Sequence, residues 1–345
     1  MASHRAPKVT GRATAAAAVV GVTAGTVALM PGTSQASPTQ SLSQVKAEVA
    51  TLNQQAEVAG QQYDAAQEQY AKLQQKVDGL QAQITREQSA LDTLENTMGL
   101  QAAAQYRNGG ISPTLQLALN SSPEKYLSQA GMQDQQAQQE AMLLKSIVQD
   151  KAQLAQDKKA ATEALAEEQQ VRSQAAAHKA QIAASLTKEQ ALLATLSAPV
   201  RATIAAGGGS TSAYNGPLPS VSGRAAAAVA YVKSKVGDAY VYGATGQSAF
   251  DCSGLIYAAY ASAGMSIPRT SEEQAAAATS IPESALQPGD VIYFYGYPPS
   301  HIGMYVGNGM FIDARNSNVG VVWGSLDPSS KYYSYMPVTG YGRFS

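Results

Sequence analysis

Cysteine is almost absent from this chain, since Cys252 is the only one in 345 residues. An internal disulfide is therefore excluded, and the fold must depend on packed helices and strands. Histidine is nearly as scarce, with His4, His178 and His301 the full set. Only His301 falls in the same C-terminal region as the cysteine. One Cys and one His in one domain are the minimum for a thiolate-imidazolium nucleophile, and a small buried hydrophobic residue is the alternative reading of Cys252.

Charge is also scarce, because Asp, Glu, Lys and Arg together make up 14% of the chain. Residues 1–36 read as an export signal, with basic residues ahead of an apolar stretch from Ala13 and a small-residue cleavage site at Ala36. An uncleaved membrane anchor is the alternative. Loss of the signal leaves 21 basic against 25 acidic residues, since its three Lys and Arg go with it. Nucleic acid is therefore not expected as a partner.

What the chain does contain is a long 3-4 apolar alternation that begins at Leu42. One heptad position reads Leu42, Val49, Ala56, Tyr63, Tyr70, Val77, Ile84, Leu91 and Met98, and its partner reads Val45, Leu52, Ala59, Ala66, Leu73, Leu80, Glu87 and Leu94. This pattern predicts a coiled-coil helix of roughly 100 Å. A second long helix with a looser seam is predicted from about Gly131 to Ala198. Residues 37–200 would then form an antiparallel hairpin, and a parallel homodimer through the first helix is the alternative.

Two segments interrupt the helical pattern. Residues 107–130 carry an Asn-Gly-Gly stop, two Ser-Pro helix starts and several leucines, which predicts a small helical lobe at the tip of the hairpin. Residues 201–223 contain Gly207-Gly208-Gly209-Ser210, Pro217 and Pro219, which predicts a flexible linker followed by a stiffer spacer.

The remaining residues, 224–345, read as helices followed by antiparallel strands, an α+β order. Asp251 and Ser253 are capping-type residues around Cys252, so the cysteine is predicted at a helix N-terminus, where the helix dipole favours the thiolate. The segment 301–314 alternates around Gly307-Asn308-Gly309 and predicts a β-hairpin. A three-residue loop would pair Val306 with Met310 and place Asp313 on the same face as His301.

Four motifs then occur in order. They are Phe250-Asp251-Cys252-Ser253-Gly254-Leu255, Ile267-Pro268-Arg269-Thr270-Ser271, Gln287-Pro288-Gly289-Asp290 and His301-Ile302-Gly303-Met304-Tyr305-Val306-Gly307-Asn308-Gly309. Their order and spacing resemble the NlpC/p60 bacterial cell-wall cysteine peptidases over about residues 224–344. The resemblance implies a papain-like α+β fold and cleavage within peptidoglycan stem peptides, between D-glutamate and a diamino acid. It implies neither a metal nor an organic cofactor.

The resemblance also assigns roles to single residues. The family's nucleophile falls on Cys252, its base on His301 and its imidazole-orienting residue on Asp313, where many members have His. Tyr240 falls where a tyrosine hydroxyl could bind the scissile carbonyl. Asp251 and Ser253 match positions that line the substrate pocket, and their alternative role is helix capping.

The N-terminal half has a looser resemblance. A coiled-coil hairpin with a lobe, a linker and an NlpC-type domain is similar to exported division hydrolases regulated by the membrane complex FtsE-FtsX. That implies a cell-envelope location, a membrane-embedded regulator at the lobe and a coiled coil that controls access to the enzyme; a passive spacer is the alternative. A Cys-His amidase or acyltransferase and a non-catalytic wall-binding activator are the rival functions.

Overall fold

The computed structural model describes residues 41–107 and 123–345. Residues 42–345 belong to one compact unit. The helices are α1 (Leu42–Arg107), α2 (Pro123–Ala194), α3 (Ala198–Ala205), α4 (Gly223–Ser234), α5 (Cys252–Ser262) and α6 (Ser271–Ala277), with a short 3-10 turn at Glu283–Ala285. The strands are β1 (Ala239–Tyr240), β2 (Ala249–Phe250), β3 (Thr279–Ser280), β4 (Val291–Phe294), β5 (His301–Gly307), β6 (Met310–Asn316), β7 (Gly320–Ser325) and β8 (Val338–Arg343). Within the described residues, none of these helices is apolar over a stretch long enough for a membrane span.

Helices α1 and α2 pack against each other as an antiparallel hairpin. Val45 and Val49, near the start of α1, contact Leu193 at the end of α2, whereas Leu91 contacts Ile147 and Leu154. The heptad pattern therefore predicted the packing surface correctly, and the predicted antiparallel hairpin is confirmed. These buried contacts explain how a pair of helices with little charge stays paired without a cross-link.

Helix α2 differs from the prediction in two respects: one residue of its packing seam and the residue at which it begins. Leu165 is 41% exposed, and Ala164 takes its place in the interface at 1% exposure. The helix begins at Pro123 rather than near Gly131, because proline suits the first turn of a helix and a glycine is tolerated inside one. The predicted lobe at 107–130 therefore loses its last residues to α2, and residues 108–122 lie outside the described part of the chain, as does the signal at 1–36.

The predicted linker, residues 201–223, is more ordered than its composition suggests. Residues up to Ala205 belong to α3, which begins just after Ser197 with a proline in its first turn. Ser210 then bridges to Trp323 in β7, and the ring of Tyr214 lies 5.7 Å from that of Trp323. Close approach explains the glycines: at Gly208, whose φ is 76°, a Cβ would lie 1.5 Å from the carbonyl oxygen of Tyr333. The segment is packed onto the C-terminal domain.

The C-terminal domain is an α+β layer structure, as predicted. Its six-stranded antiparallel sheet has the order β3-β8-β4-β5-β6-β7, and β1 and β2 form a separate parallel pair. Helix α5 packs on β5 and β6 at the centre of the sheet. Its apolar side chains, Leu255, Ile256 and Ala259, are fully buried in the core. The sheet therefore holds the start of α5 directly against the start of β5.

The β5-β6 hairpin agrees with the predicted face and differs in its loop. Met304 pairs with Ile312 and Tyr305 with Phe311, the predicted register, but Gly307 rather than Val306 then pairs with Met310. The connection is thus a two-residue turn with a bulge beside it. Asn308 and Gly309 have φ values of 52° and 71°, and Gly307 has a φ of 106°, so the glycine-rich turn can adopt this left-handed geometry. The bulge keeps Asp313 facing His301.

Candidate active site

Cys252 is the first residue of α5, and Asp251 caps that helix. The Oδ1 atom of Asp251 accepts a hydrogen bond of 2.7 Å from the backbone N–H of Gly254, and its Oδ2 atom accepts one of 2.8 Å from Gly243. The sequence predicted this cap and this position for Cys252. Capping by Asp251 fixes the entry of the chain into the helix, so the thiol is aimed across the sheet towards β5.

His301 and Asp313 face each other from β5 and β6. Nε2 of His301 lies 2.8 Å from Oδ2 of Asp313, and both side chains are completely buried. Gly303 lies in β5, and a Cβ at this position would lie 3.2 Å from Cβ of Asp313. The absence of a side chain at Gly303 therefore leaves room for Asp313. The imidazole is held by its Nε2 edge, and its Nδ1 edge is turned away from Asp313 towards the cysteine side.

Arg315 compensates the buried charge of Asp313, and the sequence analysis missed it. Its Nε and Nη2 atoms each donate a hydrogen bond of 2.7 Å to Asp313, and Nη1 donates another to the backbone oxygen of Gly207. Burial would raise the pKa of Asp313, but Arg315 and His301 outweigh it and lower that pKa. The sequence did contain a sign of this role, because side chains two residues apart in a strand lie on the same face, which places residues 313 and 315 together.

Helix α1 inserts a polar face into this site. Oε2 of Glu57 lies 3.3 Å from Sγ of Cys252 and 3.5 Å from Nδ1 of His301. Its Oε1 atom accepts a hydrogen bond of 2.9 Å from the hydroxyl of Tyr240. Glu57 is only 3% exposed, so its carboxylate fills the space directly above the sulfur.

Two further side chains of α1 extend the contact. Gln61 accepts hydrogen bonds from the backbone N–H of Ser271 (2.6 Å) and from the hydroxyl of Ser253 (3.1 Å), and its amide nitrogen lies 3.5 Å from Sγ of Cys252. Asp64 lies 3.3 Å from Arg269. Glu57, Gln61 and Asp64 are spaced i, i+4, i+7, so they form one face of the helix next to the apolar seam. This set is called the docking face below.

Small residues let the helix come so close. At Gly60 an added Cβ would lie 2.6 Å from the ring of Tyr242, and Ala56 and Ala59 are completely buried. The docking face was missed because the sequence search followed apolar periodicity, and a polar face normally indicates a solvated surface.

The electrostatics of the cysteine oppose the expected thiolate. Burial is the main effect, and the negative charge of Glu57 adds to it, so the pKa of Cys252 is raised well above its ordinary value. The pKa of His301 is also raised: burial opposes its charge, but the hydrogen bond to Asp313 and the nearby carboxylate of Glu57 outweigh burial and raise that pKa to about 9. Cys252 therefore begins the helix as predicted, but in this closed arrangement burial and the carboxylate of Glu57 favour the protonated thiol over the predicted thiolate.

The predicted substrate-lining residues all lie at the site. The hydroxyl of Tyr240 points to Glu57, and Asp251 and Ser253 both contact Arg269, which donates to Oδ1 of Asp251 at 3.0 Å and to the hydroxyl of Ser253 at 2.8 Å. Arg269 belongs to a motif that the sequence analysis quoted but was not assigned a role there. Its third partner, Asp64, belongs to α1, so removal of the helix would free one side of this guanidinium for an anionic group.

Arg315 carries a prediction. Arg315→Ala would leave the Asp313 carboxylate buried without its cation, and breaking a buried pair costs about 3–5 kcal/mol. We expect a loss of that size in the free energy of unfolding, measured by urea denaturation. Arg315→Lys should lose less, because it keeps the charge but not the paired geometry. Arg201→Ala, at an exposed position of α3, is the control; equal stability of the two alanine variants would contradict the role given to Arg315.

Comparisons with known proteins agree with this geometry. Residues 237–338 match the model of the NlpC/P60 family. A probable endopeptidase of Corynebacterium glutamicum is 46% identical over 112 residues, which are 32% of this chain and 50% of that protein. The probable endopeptidase p60 of Listeria innocua is 42% identical over 107 residues, 29% of this chain and 23% of that protein.

A solved structure, the NlpC/p60 domain of the peptidoglycan hydrolase SagA, is 28% identical and covers 35% of this chain and 98% of that one, at a TM-score of 0.31. The chain spans half or less of the length of the curated relatives named above. The family match covers the part of the chain that holds Cys252 and His301. Residues 237–338 of this chain therefore form a domain of the NlpC/P60 family.

Proposed function

We propose that this protein is a cysteine endopeptidase of peptidoglycan whose active site is closed by its own helical hairpin. The observation that carries the enzymatic part is the alignment of Cys252, His301 and Asp313 within a domain of the NlpC/P60 family. The relatives named as probable endopeptidases support the reaction class, and the motifs shared with cell-wall peptidases support the substrate.

The chemistry follows from the positions of the three side chains. His301 takes the thiol proton of Cys252, and the sulfur attacks the carbonyl carbon of the scissile amide, forming a carbon–sulfur bond. The imidazolium then returns the proton to the leaving amine as the carbon–nitrogen bond breaks. Water, deprotonated by His301, then attacks the thioester carbon. The carbon–sulfur bond breaks, the new carboxylic acid is released, and the imidazolium returns its proton to the sulfur of Cys252. Asp313, charge-paired with Arg315, stabilises the imidazolium and holds its orientation.

Tyr240 is proposed to bind the oxygen of the scissile carbonyl. Its hydroxyl donates to Oε1 of Glu57, whose other oxygen lies 3.3 Å from Sγ of Cys252. A carboxylate held this way occupies the place where the carbonyl and its negative oxygen would form. Asp251, Ser253 and Arg269 then lie beside the pocket, where the guanidinium suits a carboxylate of the stem peptide.

Product analysis tests the reaction class. Purified wall should be digested and the fragments weighed by mass spectrometry. Cleavage between D-glutamate and the diamino acid leaves a dipeptide on the glycan, as the resemblance implies. An amidase would instead release the whole stem peptide, an acyltransferase would join stem peptides to an added amine, and a non-catalytic activator would yield no product, so each rival gives a different result.

The hairpin is proposed to be the regulatory element. Substrate cannot reach the sulfur while Glu57 lies 3.3 Å from it, and α1 also roofs a cavity of about 250 Å³ bordered by Glu57, Tyr295 and Arg315. Activation then requires the docking face to leave the site. A membrane-embedded regulator of the FtsE-FtsX type, acting on the lobe at 107–130 of an exported chain in the cell envelope, is the partner that the N-terminal resemblance suggests.

The docking face makes closure depend on pH through Asp64. The pKa of Asp64 is raised to about 8, mainly by burial and by repulsion from Asp251 and Glu57. Attraction to Arg269 acts in the opposite direction but is weaker. In a displaced helix that pKa would return to about 3.9. The docked state therefore binds the extra proton, so docking is strongest below pH 4 and weakens as the pH rises through 8.

The docking face can be disabled by the double substitution Glu57→Ala and Gln61→Ala. We expect the ratio of the wall-digestion rate of the natural chain to that of this double variant to rise between pH 5 and pH 8. Rates would be followed by the release of soluble fragments. Asp64→Asn keeps the shape of the side chain but cannot ionise, so it should flatten the ratio. A ratio with the same slope in the Asp64→Asn chain would show that Asp64 does not govern closure.

A further inference from the structure

Three side chains with metal-binding atoms meet between the hairpin and the domain. Oε2 of Glu57, Sγ of Cys252 and a ring nitrogen of His301 all lie within 4.8 Å of one another, and all three residues are buried. We propose that this cluster binds a Zn²⁺ ion that locks α1 onto the active site. The inference rests on the closed arrangement described under the proposed function, and not on which bond the enzyme cleaves.

The distances suit tetrahedral zinc. With metal–ligand bonds of about 2.0–2.3 Å, neighbouring ligand atoms of a tetrahedral zinc site lie about 3.3–3.6 Å apart. The same oxygen of Glu57 lies 3.3 Å from Sγ of Cys252 and 3.5 Å from Nδ1 of His301. Two edges of the tetrahedron are therefore already in place, and water can supply the fourth ligand.

An unsatisfied atom points into the cluster. Nδ1 of His301 is buried and makes no hydrogen bond within the described residues, although His301 is completely buried. Such an atom is costly unless it finds a partner. A metal ion would supply one: on binding it would displace the proton from Nδ1 into solvent and accept the lone pair of the resulting neutral imidazole.

The surroundings resemble those of a ligated metal. Asp313 holds the opposite ring nitrogen of His301 at 2.8 Å, which is how a carboxylate usually orients a zinc-binding histidine. Tyr240 donates to the second oxygen of Glu57 at 2.9 Å and so orients that ligand as well. His301 and Glu57 therefore already have the hydrogen-bond partners that would orient them as metal ligands.

The donor set selects the kind of ion. One thiolate, one imidazole and one carboxylate suit Zn²⁺ and exclude Mg²⁺ and Ca²⁺, which prefer oxygen alone. Thiolate and carboxylate together carry two negative charges, which Zn²⁺ neutralises. Because one ligand comes from α1 and two from the C-terminal domain, bound zinc would hold the enzyme closed.

Titration of the full chain with Co²⁺ and Zn²⁺ tests the site. Co²⁺, a spectroscopic substitute for zinc, should bind with one equivalent and give a thiolate-to-metal charge-transfer band, and Cys252→Ser should lose that band. Glu57→Gln should weaken Zn²⁺ binding at least tenfold, as measured by calorimetry. Asp78→Asn, at an exposed position of the same helix, is the matched control and should bind like the natural chain.

Glu57→His gives a second check, because it replaces an oxygen ligand by a nitrogen ligand and should retain binding that Glu57→Gln loses. Equal affinity of the natural and Glu57→Gln chains, or the absence of a thiolate band, would overturn the site. Circular dichroism confirms that each variant is folded. Wall digestion by the Glu57→Ala and Gln61→Ala chain, assayed with a chelator present, is independent of the metal, so its failure would count against the proposed function instead.

Discussion

Replacing Cys252 by alanine should lower wall hydrolysis by at least about 10³-fold, because no other side chain at the site can attack the carbonyl carbon. The change removes one buried sulfur at the first turn of α5, and Asp251 keeps its cap on Gly254, so the fold should survive. The rate of fragment release from purified wall is the measurement, with thermal unfolding followed in parallel.

The background of this experiment matters, because the proposed closure by α1 would slow the natural chain independently of Cys252. Cys252→Ala should therefore also be placed in the chain whose docking face is disabled. Ser262→Ala, on the same helix but away from the site, is the matched control. Hydrolysis at the control rate in the Cys252→Ala chain would remove the nucleophile from the mechanism.

Disabling the docking face should raise the activity of the chain. Glu57→Ala and Gln61→Ala together remove the contacts to Cys252, Tyr240 and Ser271, and each buried hydrogen bond lost costs the closed state about 1 kcal/mol, more where a charge is involved. The sum, about 3 kcal/mol, corresponds to an increase of about 10²-fold in the initial rate of wall digestion. Gln62→Ala with Asp78→Asn, both at exposed positions of α1, is the control pair.

These substitutions test closure more cleanly than removal of the hairpin. A chain beginning near Pro217 would also lose Gly207, whose backbone oxygen accepts a hydrogen bond from Arg315, and Ala205, which accepts one from Asn316. Its rate would then reflect both an opened site and a disturbed Asp313. If the double variant and the control pair digest wall equally fast, the hairpin is a spacer and does not restrain the enzyme.

The sequence predicted what depends on period and spacing. The heptad positions are the α1-α2 interface, Cys252 begins a helix behind its aspartate cap, and the parity of the β5-β6 hairpin places Asp313 on the same face as His301. Each of these follows from contacts between neighbours in sequence or from a regular repeat, so no knowledge of distant segments was needed.

The missed features depend on contacts between distant segments. Glu57 and Cys252 are 195 residues apart, and Arg315 and Gly207 are 108 apart. Nothing local distinguishes the polar face of α1 from a solvated one, or the glycine-rich segment 207–209 from a free linker. Burial and then the charge of Glu57 raise the pKa of Cys252, and the part due to Glu57 could not be predicted before the helix was seen to fill the site.

The position of the docking face along α1 makes the hairpin a lever. Val45 and Val49 are clamped by Leu193, Leu196 and Ile204 at one end. At 1.5 Å per residue, Gln61 lies about 18 Å from Val49, and Arg107 about 87 Å. A sideways force on the far end, turning the hairpin about its clamped end, would therefore act on the docking face with a mechanical advantage of about five, so a weak pull there could open a site that thermal motion leaves shut.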